Sequence, residues 1–565
     1  MRRTAGRLVP LVVLALAACS PHDPTSSESS TASPARVRSL KPAIDTRTVV
    51  FNLGEPPRTL DPALTISVVG FNVVQHVFEG LTMPGPRDSV EPGVAERWEI
   101  SEDGLTYDFY LRQSAKWADG EPVTAEDFIF AWTRVLAPDA GAAYANLLFA
   151  VENGDAFHEG EITDPAQLGL EAVTPYHLRV RLSRPVSYFL HLTGFNTLSP
   201  LRRDVIESHG DAWTHSPATY LGNGPFRLTA IEPNHQYVFE KSPEYWNSDA
   251  VSLDRMVWLQ MGDEQSEYTA YLTNQIDATY SVPLPDLPHI RRTMAEHLMQ
   301  EPLAGTHYLY FNFERPPLDD ARVRRALMLA IDRETITNEV SEGLHTPATG
   351  WVPAGTPDAD GESNFSDHSG ALIPSGAFDL ARELLAEAGY PGGEGFPAMT
   401  YLYNSSELNR RVAERLQAGW KRELGIDVRL QNNEWQVLVA NLQEGNFDIG
   451  RFSWIGDYPD PMTFLDIWMS GDGNNRGRYR SEAYDDLLRE AMNTADRTAY
   501  FELCHRAEQM LIDDAAMAPI WFTGSAILVN PGLEGVVKTP TGDIMFHHAR
   551  WNLERLREGN AGSTQ

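Results

Sequence analysis

A regular alternation of helix-forming and strand-forming segments in the second half of the chain constrains its fold more than any other feature. Apolar side chains first recur at helical spacing, at Leu408, Val412, Leu416 and Trp420, and Gly425 then ends the helix. Residues 426–430 alternate apolar and polar side chains, as a half-buried strand does. A helix around Trp435 and a strand at Phe447 follow. The order predicts an α/β fold.

The last strand of this progression leads into residues 446–458, where unlike side chains are concentrated. Phe447 and Ile449 share one face of a short strand, and we expect turns at Gly450 and Gly456. The strand end carries a cation, an anion and two aromatic rings, namely Arg451, Asp457, Trp454 and Tyr458. Such groups at the carboxyl end of a strand are complementary to a peptide or amino acid. They also fit a surface salt bridge beside a half-buried tryptophan.

A second block, residues 95–128, predicts a hairpin followed by a helix. Asp103-Gly104 is a tight hairpin signal, and residues 105–111 alternate as a strand with one buried face. Thr124 then caps a helix, with Asp127 in the capping-box position.

This block resembles the signature region of the family 5 extracellular solute-binding proteins, which include oligopeptide and dipeptide receptors of ABC importers. Three further regions match the family's characteristic motifs in the same order. They are residues 55–62, residues 222–226 with 243–247, and residues 312–324. Motifs in register along nearly the whole chain are far more specific than any one of them alone.

The resemblance implies a two-lobed fold of the class II periplasmic-binding-protein type with an extra inserted domain. The first lobe is expected to be discontinuous, comprising residues 39–70, 199–304 and 524–556. The inserted domain then covers residues 71–198, and the second lobe residues 305–523. A ligand would bind between the two lobes.

The resemblance also assigns roles within the cleft. Asp457, which follows Trp454, matches an aspartate that pairs with the ligand's α-ammonium, and Arg451 matches an arginine used for the carboxylates of short peptides. The further positions that carry over are Trp435, Tyr144 and Tyr271, with Glu55 on the face that the first lobe presents.

Two departures from the family pattern limit this assignment. Where a related oligopeptide receptor has a disulfide that holds the site loop, this chain has Gly305 and Ile455, so packing alone must hold the loop. Where that receptor has an arginine and a histidine for the carboxylates of longer peptides, this chain has Leu442 and Asn409. We keep Asn409 among the candidate ligand-binding residues, but the preferred peptide length stays open.

The N-terminus has the pattern of a bacterial lipoprotein signal. Arginines at positions 2, 3 and 7 precede the apolar run 8–18, which is too short to span a bilayer, and Leu16-Ala-Ala-Cys19 resembles a lipobox. We expect cleavage after residue 18, a lipid on Cys19 and a flexible tether over residues 19–38. The protein would then be exported and anchored to a bacterial membrane, facing the periplasm or the cell exterior.

The net charge and the family resemblance limit the kinds of partner that the protein can bind. The net charge of −32 argues against nucleic acid, and we expect no cofactor. We expect a monomer whose partners are peptides with a free N-terminus, an ABC permease and its ATPase subunits. A receptor for a nickel chelate, haem or a cell-wall peptide is an alternative within the family.

A lipid-anchored hydrolase is the alternative from another class, because carboxylates and tryptophans are abundant. We find no nucleophile elbow, no zinc-protease motif and no phosphate-binding loop in the sequence, so we do not expect an enzyme. His547 and His548 are adjacent and should point apart rather than share a metal. Cys504 falls in a helical pattern and is expected to be a buried apolar residue.

Overall fold

The computed structural model describes residues 46–85, 89–552 and 554–555. The predicted signal peptide, Cys19 and the tether lie outside these residues. Within them, no helix is both long and apolar enough to cross a membrane.

The strands are short except for two. Their bounds are β1 Thr48–Asn52, β2 Thr82–Pro84, β3 Val90–Pro92, β4 Ala95–Ile100, β5 Thr106–Leu111, β6 Leu170–Thr174, β7 His177–Arg181, β8 Phe226–Glu232, β9 Gln236–Lys241, β10 Arg255–Leu259, β11 Leu298–Phe311, β12 Thr346–Pro347, β13 Met399–Asn404, β14 Val428–Asn433, β15 Ile449–Ile455, β16 Met517–Leu528, β17 Leu533–Glu534, β18 Val537–Lys538, β19 Ile544–Met545 and β20 Arg550–Trp551.

Helices connect and cover these strands. Their bounds are α1 Val68–Val77, α2 Ala125–Leu136, α3 Gly154–His158, α4 Phe189–Leu192, α5 Arg203–His209, α6 Glu264–Leu272, α7 Leu287–Thr293, α8 Ala321–Leu329, α9 Arg333–Thr335, α10 Phe365–Ser369, α11 Phe378–Glu387, α12 Glu407–Leu424, α13 Trp435–Glu444, α14 Met462–Leu465, α15 Glu482–Met492 and α16 Arg497–Asp513.

Two four-stranded sheets form from the first half of the chain. One has the order β1-β10-β9-β8, with β1 and β10 parallel, and the other has the antiparallel order β4-β5-β7-β6. The predicted hairpin at Asp103-Gly104 joins β4 to β5, and Gly104 has a positive φ of 69°. Thr124 and Asp127 form the predicted capping box at the start of α2. Local sequence signals therefore placed this region correctly.

A six-stranded sheet in the order β12-β16-β11-β15-β13-β14 contains the second-half progression. The predicted helix is α12, and Gly425 ends it in the left-handed conformation. The following strand begins at Val428 rather than at residue 426, because its parallel pairing with β13 starts there. Trp435 is the first residue of α13, as the sequence indicated.

The prediction of a turn at Gly450 is wrong. β15 continues from Ile449 to Ile455 because β11 pairs with it along its whole length, from Phe311↔Ile449 to Gly305↔Ile455. Arg451 and Trp454 consequently lie within the strand, and only Asp457 and Tyr458 follow its end.

The two long strands, β11 and β16, pair with each other over most of their length. Their pairing is interrupted between Pro302 and Thr306. The part of β11 after the interruption, and the part of β16 before it, belong to the six-stranded sheet. Beyond the other end of this pairing, Ala278 forms isolated bridges with both Phe51 of β1 and Val529. Cys504 is a buried free cysteine on α16, as predicted.

Candidate ligand-binding site

The loop after β15 positions Asp457. Gly456 donates its N–H to the carbonyl of Ala304 at 2.8 Å, and a Cβ at residue 456 would lie 2.9 Å from the Phe464 ring. The Thr463 hydroxyl accepts the Asp457 N–H at 3.0 Å, and the Thr463 carbonyl accepts the Trp454 indole N–H at 2.8 Å. Close packing and these hydrogen bonds fix the direction in which the Asp457 carboxylate points.

Packing also replaces the disulfide that the sequence comparison found missing. Gly305 on β11 lies directly opposite Ile455 on β15. A Cβ at residue 305 would come within 3.0 Å of Ile455 Cγ1, so the isoleucine fills the space between the two strands. The prediction that packing takes over here is confirmed.

Asp457 is half-buried, and its carboxylate accepts a hydrogen bond of 2.9 Å from the Tyr144 hydroxyl. Burial raises the pKa of Asp457 to about 7, and the Tyr144 hydrogen bond acts in the opposite direction. In the described part of the chain no Lys, Arg or His forms a salt bridge with this carboxylate. Asp457 is thus a desolvated carboxyl group, and no described residue supplies it with a cationic partner.

A cavity of about 560 Å³ opens beside Asp457 and Tyr458. Its walls come from the β2–β3 hairpin, from the segment between α4 and residue 199, from residues 535–548 and from the loop after β15. The volume is in the range of small-molecule binding sites. Tyr458 is buried, and its ring stacks on Tyr188 with centroids 4.5 Å apart, so it forms a rigid wall.

Arg451 does not neutralise Asp457. Its guanidinium donates to Asn404 Oδ1 at 3.0 Å and to Ser453 Oγ at 3.1 Å, and burial lowers its pKa to about 10. Asn409 donates to the same Asn404 oxygen at 2.9 Å. Arg451 and Asn409, both predicted site residues, are therefore brought together through Asn404, the last residue of β13, which sequence reasoning missed.

The other predicted aromatic residues are dispersed. Trp435 stacks on Phe452 with centroids 5.7 Å apart and remains 39% exposed. Tyr271 belongs to a separate apolar cluster, where its hydroxyl lies 2.7 Å from His297 Nδ1. Glu55 is exposed and lies near Gly262. Of the predicted ligand-binding residues, only Asp457 and Tyr458 line the cavity. The others do not: Arg451, Trp454, Trp435, Tyr144, Tyr271, Glu55 and Asn409.

Four charged side chains on the cavity wall were not predicted: Glu79, Glu91, Lys538 and Asp543. Burial raises the pKa of Glu79 to about 7 and lowers the pKa of Lys538 to about 8. Lys538 Nζ lies 5.3 Å from the centre of the Tyr280 ring. Lysine is rare in this acidic chain, and that rarity is the signal that could have drawn attention to Lys538.

His547 and His548 also line the cavity, and they do not form a shared metal cluster among the described residues. His547 Nε2 contacts the Gln75 carbonyl at 3.0 Å. Burial lowers the pKa of His547 to about 4.

Comparison with known proteins identifies the class to which this arrangement belongs. Residues 89–476 match the middle region of the bacterial extracellular solute-binding proteins, family 5, and the chain belongs to that family. It is 34% identical to the periplasmic oligopeptide-binding protein OppA of Salmonella typhimurium over 505 residues, covering 88% of this chain and 92% of the relative. It is 31% identical to the oligopeptide-binding protein OppA of Bacillus subtilis over 513 residues, covering 89% and 92%.

Solved structures agree with this membership. The Escherichia coli murein tripeptide binding protein MppA superimposes with a TM-score of 0.78 at 31% identity, covering 90% of this chain and 99% of that one. Haemophilus influenzae OppA in complex with the peptide RPPGFSPFR superimposes with a TM-score of 0.76 at 31% identity and the same coverage. The predicted two-lobed fold of the periplasmic-binding-protein type is confirmed, and the family is one of solute-binding proteins rather than enzymes.

Proposed function

We propose that this protein is the substrate-binding component of an ABC importer that captures peptides with a free N-terminus and delivers them to a permease and its ATPase subunits. The observation that carries the proposal is the half-buried Asp457 carboxylate beside the cavity. Among the described residues, the Tyr144 hydroxyl alone donates a hydrogen bond to it. The names of the relatives, which describe oligopeptide-binding and dipeptide-binding proteins, support the same ligand class.

The electrostatics explain why an ammonium group is the fitting partner. A carboxylate withdrawn from water is costly unless a cation or several donors compensate it. Arg451 is engaged with Asn404 and Ser453 and does not supply that charge. The α-ammonium of a peptide would bring a positive charge and three N–H donors to this carboxylate.

Capture then requires that the cleft opens and closes. We assign the first lobe to residues 39–70, 199–304 and 524–556, the inserted domain to residues 71–198, and the second lobe to residues 305–523. The boundaries at 304/305 and 523/524 fall inside the long strands β11 and β16, next to the interruption in their pairing at Pro302–Thr306. Two strands that pass between lobes and lose their regular pairing at that point would form a hinge.

Peptide binding of this kind is selective for the main chain more than for side chains. Hydrogen bonds to the peptide main chain form with any peptide sequence. In the side-chain pockets, water fills the space that a small side chain leaves empty. We therefore expect one receptor to accept many peptides.

The remaining parts of the proposal concern location. Cleavage after residue 18, a lipid on Cys19 and a tether to residue 38 would hold a monomeric receptor at a bacterial membrane, outside the cytoplasm. The lipobox pattern of residues 16–19 supports this part.

Mass spectrometry of whatever co-purifies with the protein tests the function. Recovery of linear peptides with free N-termini is the expected result. A nickel chelate, haem or a branched cell-wall peptide as the sole ligand would replace the proposal with the corresponding alternative within the family. Cleaved products after prolonged incubation with added peptide, absent with heat-inactivated protein, would instead identify a hydrolase.

A further inference from the structure

Three potential metal ligands lie close together at a place separate from the cavity beside Asp457. Asp358 lies in the loop after β12, His368 on α10 and His505 on α16. One ligand atom from each residue can be chosen so that all of them lie within 4.8 Å of one another. None of the three lines the cavity beside Asp457, so this cluster is distinct from the candidate ligand-binding site.

Asp358 is the centre of the cluster. The residue is only 3% exposed, and its Oδ1 accepts the N–H of Ala359 at 2.6 Å. The other oxygen, Oδ2, lies 3.2 Å from His505 Nε2 and 3.6 Å from His368 Nδ1. One buried carboxylate oxygen therefore faces two imidazole nitrogens.

The hydrogen bonds behind His505 determine which of its nitrogens carries a hydrogen. The N–H groups of Trp351 and Val352 both donate to Oε1 of the buried Glu508 at 2.8 Å, so Glu508 acts as an acceptor. Ser369 donates its single hydroxyl hydrogen to Glu508 Oε2 at 2.6 Å. Where Glu508 is ionised, the Ser369 oxygen, 2.9 Å from His505 Nδ1, can only accept there, so Nδ1 carries the hydrogen.

A neutral His505 consequently directs the lone pair of Nε2 at the Asp358 carboxylate. In this tautomer two electron pairs face each other at 3.2 Å, an arrangement that a second proton on the ring or a metal ion would stabilise. The ring is held in this orientation because it stacks on Phe365, with centroids 3.9 Å apart.

The distances match a shared metal ion. Two ligands at about 2.0–2.1 Å from one tetrahedral zinc ion are separated by about 3.4 Å. The separations of 3.2 Å and 3.6 Å from Asp358 Oδ2 lie on either side of this value. His368 is 71% exposed at its side chain and can turn toward His505 without disturbing the core. Water would complete the tetrahedron.

We propose that Asp358, His368 and His505 form a binding site for a divalent transition-metal ion of the zinc type. Two imidazoles and one carboxylate select such ions over Mg²⁺ and Ca²⁺, which prefer oxygen ligands. The Nδ1–H of His505, held by Ser369 and Glu508, is the outer hydrogen bond that typically orients a metal-bound histidine.

A metal ion at Asp358, His368 and His505 would also affect the wall of the cavity beside Asp457. Gly355 lines the cavity beside Asp457 and lies three residues before Asp358 in the same loop. Gly355 donates its N–H to Asn364 Oδ1 at 3.0 Å, next to the start of α10. A metal that joins Asp358 to α10 and α16 would fix the loop that forms this part of the cavity wall.

Calorimetry and thermal melts of the chelator-treated full chain with zinc sulfate test the proposal. We expect one ion per chain and a melting temperature that rises with zinc concentration, with magnesium sulfate having no effect. His368→Gln, at an exposed position that should not affect folding, is expected to weaken zinc binding at least tenfold, and so is His505→Gln. The matched control is His235→Gln, because His235 is an exposed histidine that also contacts a carboxylate, that of Glu232 at 2.7 Å.

Three results would overturn the site. They are the absence of zinc binding, equal responses to zinc and magnesium, and undiminished zinc binding in a folded His368→Gln His505→Gln double variant. In that case a proton bridges His505 and Asp358, and nitrogen chemical shifts would report an imidazolium with both nitrogens protonated.

Discussion

The role of Asp457 as the anchor for a ligand's α-ammonium can be tested by removing each partner separately and then both together. Asp457→Asn removes the charge and keeps an oxygen that can accept the Tyr144 hydrogen bond. Acetylation of the peptide N-terminus removes the ammonium. Because both changes delete the same contact, their effects should be far from additive.

The structure gives the expected magnitude. Burial raises the pKa of Asp457 from 3.8 to about 7, which corresponds to about 4 kcal/mol against the charged carboxylate. An ammonium that restores the charge can recover an energy of this order. Loss of one partner of a buried pair costs about 3–5 kcal/mol, or about a hundredfold to several-thousandfold in Kd.

Isothermal titration calorimetry on the four combinations of protein and peptide measures these effects. Each single change should weaken binding by about that factor, and the double change should cost little more than either. Glu79→Gln is the matched control, because Glu79 lines the same cavity but receives hydrogen bonds from Tyr245 and Trp246. The reasoning is refuted if free and acetylated peptides bind the wild type within about threefold, or less than about 1 kcal/mol.

The other predictions concern stability, closure and anchoring. Since the pKa of Asp457 is raised in the folded protein, that state binds more protons than the unfolded chain between about pH 4 and 7, so the carboxylate lowers stability as pH rises through this window. Asp457→Asn should therefore stabilise the ligand-free protein at pH 8 by up to about 4 kcal/mol and have little effect near pH 3. Denaturant titrations at the two pH values measure this. Equal effects at both pH values would contradict it. Saturating peptide should reduce the radius of gyration in small-angle scattering and raise the melting temperature, and an unchanged scattering curve would count against closure. Cys19→Ser should release the protein into the soluble fraction or leave it unprocessed, whereas a processed and membrane-bound variant would rule out the lipid anchor.

Local signals in the sequence were reliable where the chemistry is local. Thr124 with Asp127 predicted a capping box and Gly425 a helix end, and both are confirmed. These features depend on residues within one turn of each other, so no distant contact is needed to specify them.

Predictions that depended on distant partners were less complete. The turn expected at Gly450 is absent because β11, more than a hundred residues earlier, pairs with β15 past that point. The partners of Arg451 come from β13 and from its own strand, and only the folded sheet shows that they leave Asp457 without a cation. Lys538 and Asp543 reach the cavity wall through a hairpin at the far end of the chain, which no short pattern connects to Asp457.

The contacts between the two ends of the chain have a consequence for the timing of folding. Asn72 Oδ1 accepts the N–H of Ile544, His76 Nε2 accepts that of Phe546, and Thr48 supplies its carbonyl to the Trp551 indole. These contacts span more than 460 residues, so β1 and α1 lack these particular partners until synthesis is nearly finished. Full packing of the N-terminal region therefore waits for residues 544–551, so we expect it to be among the last steps of folding.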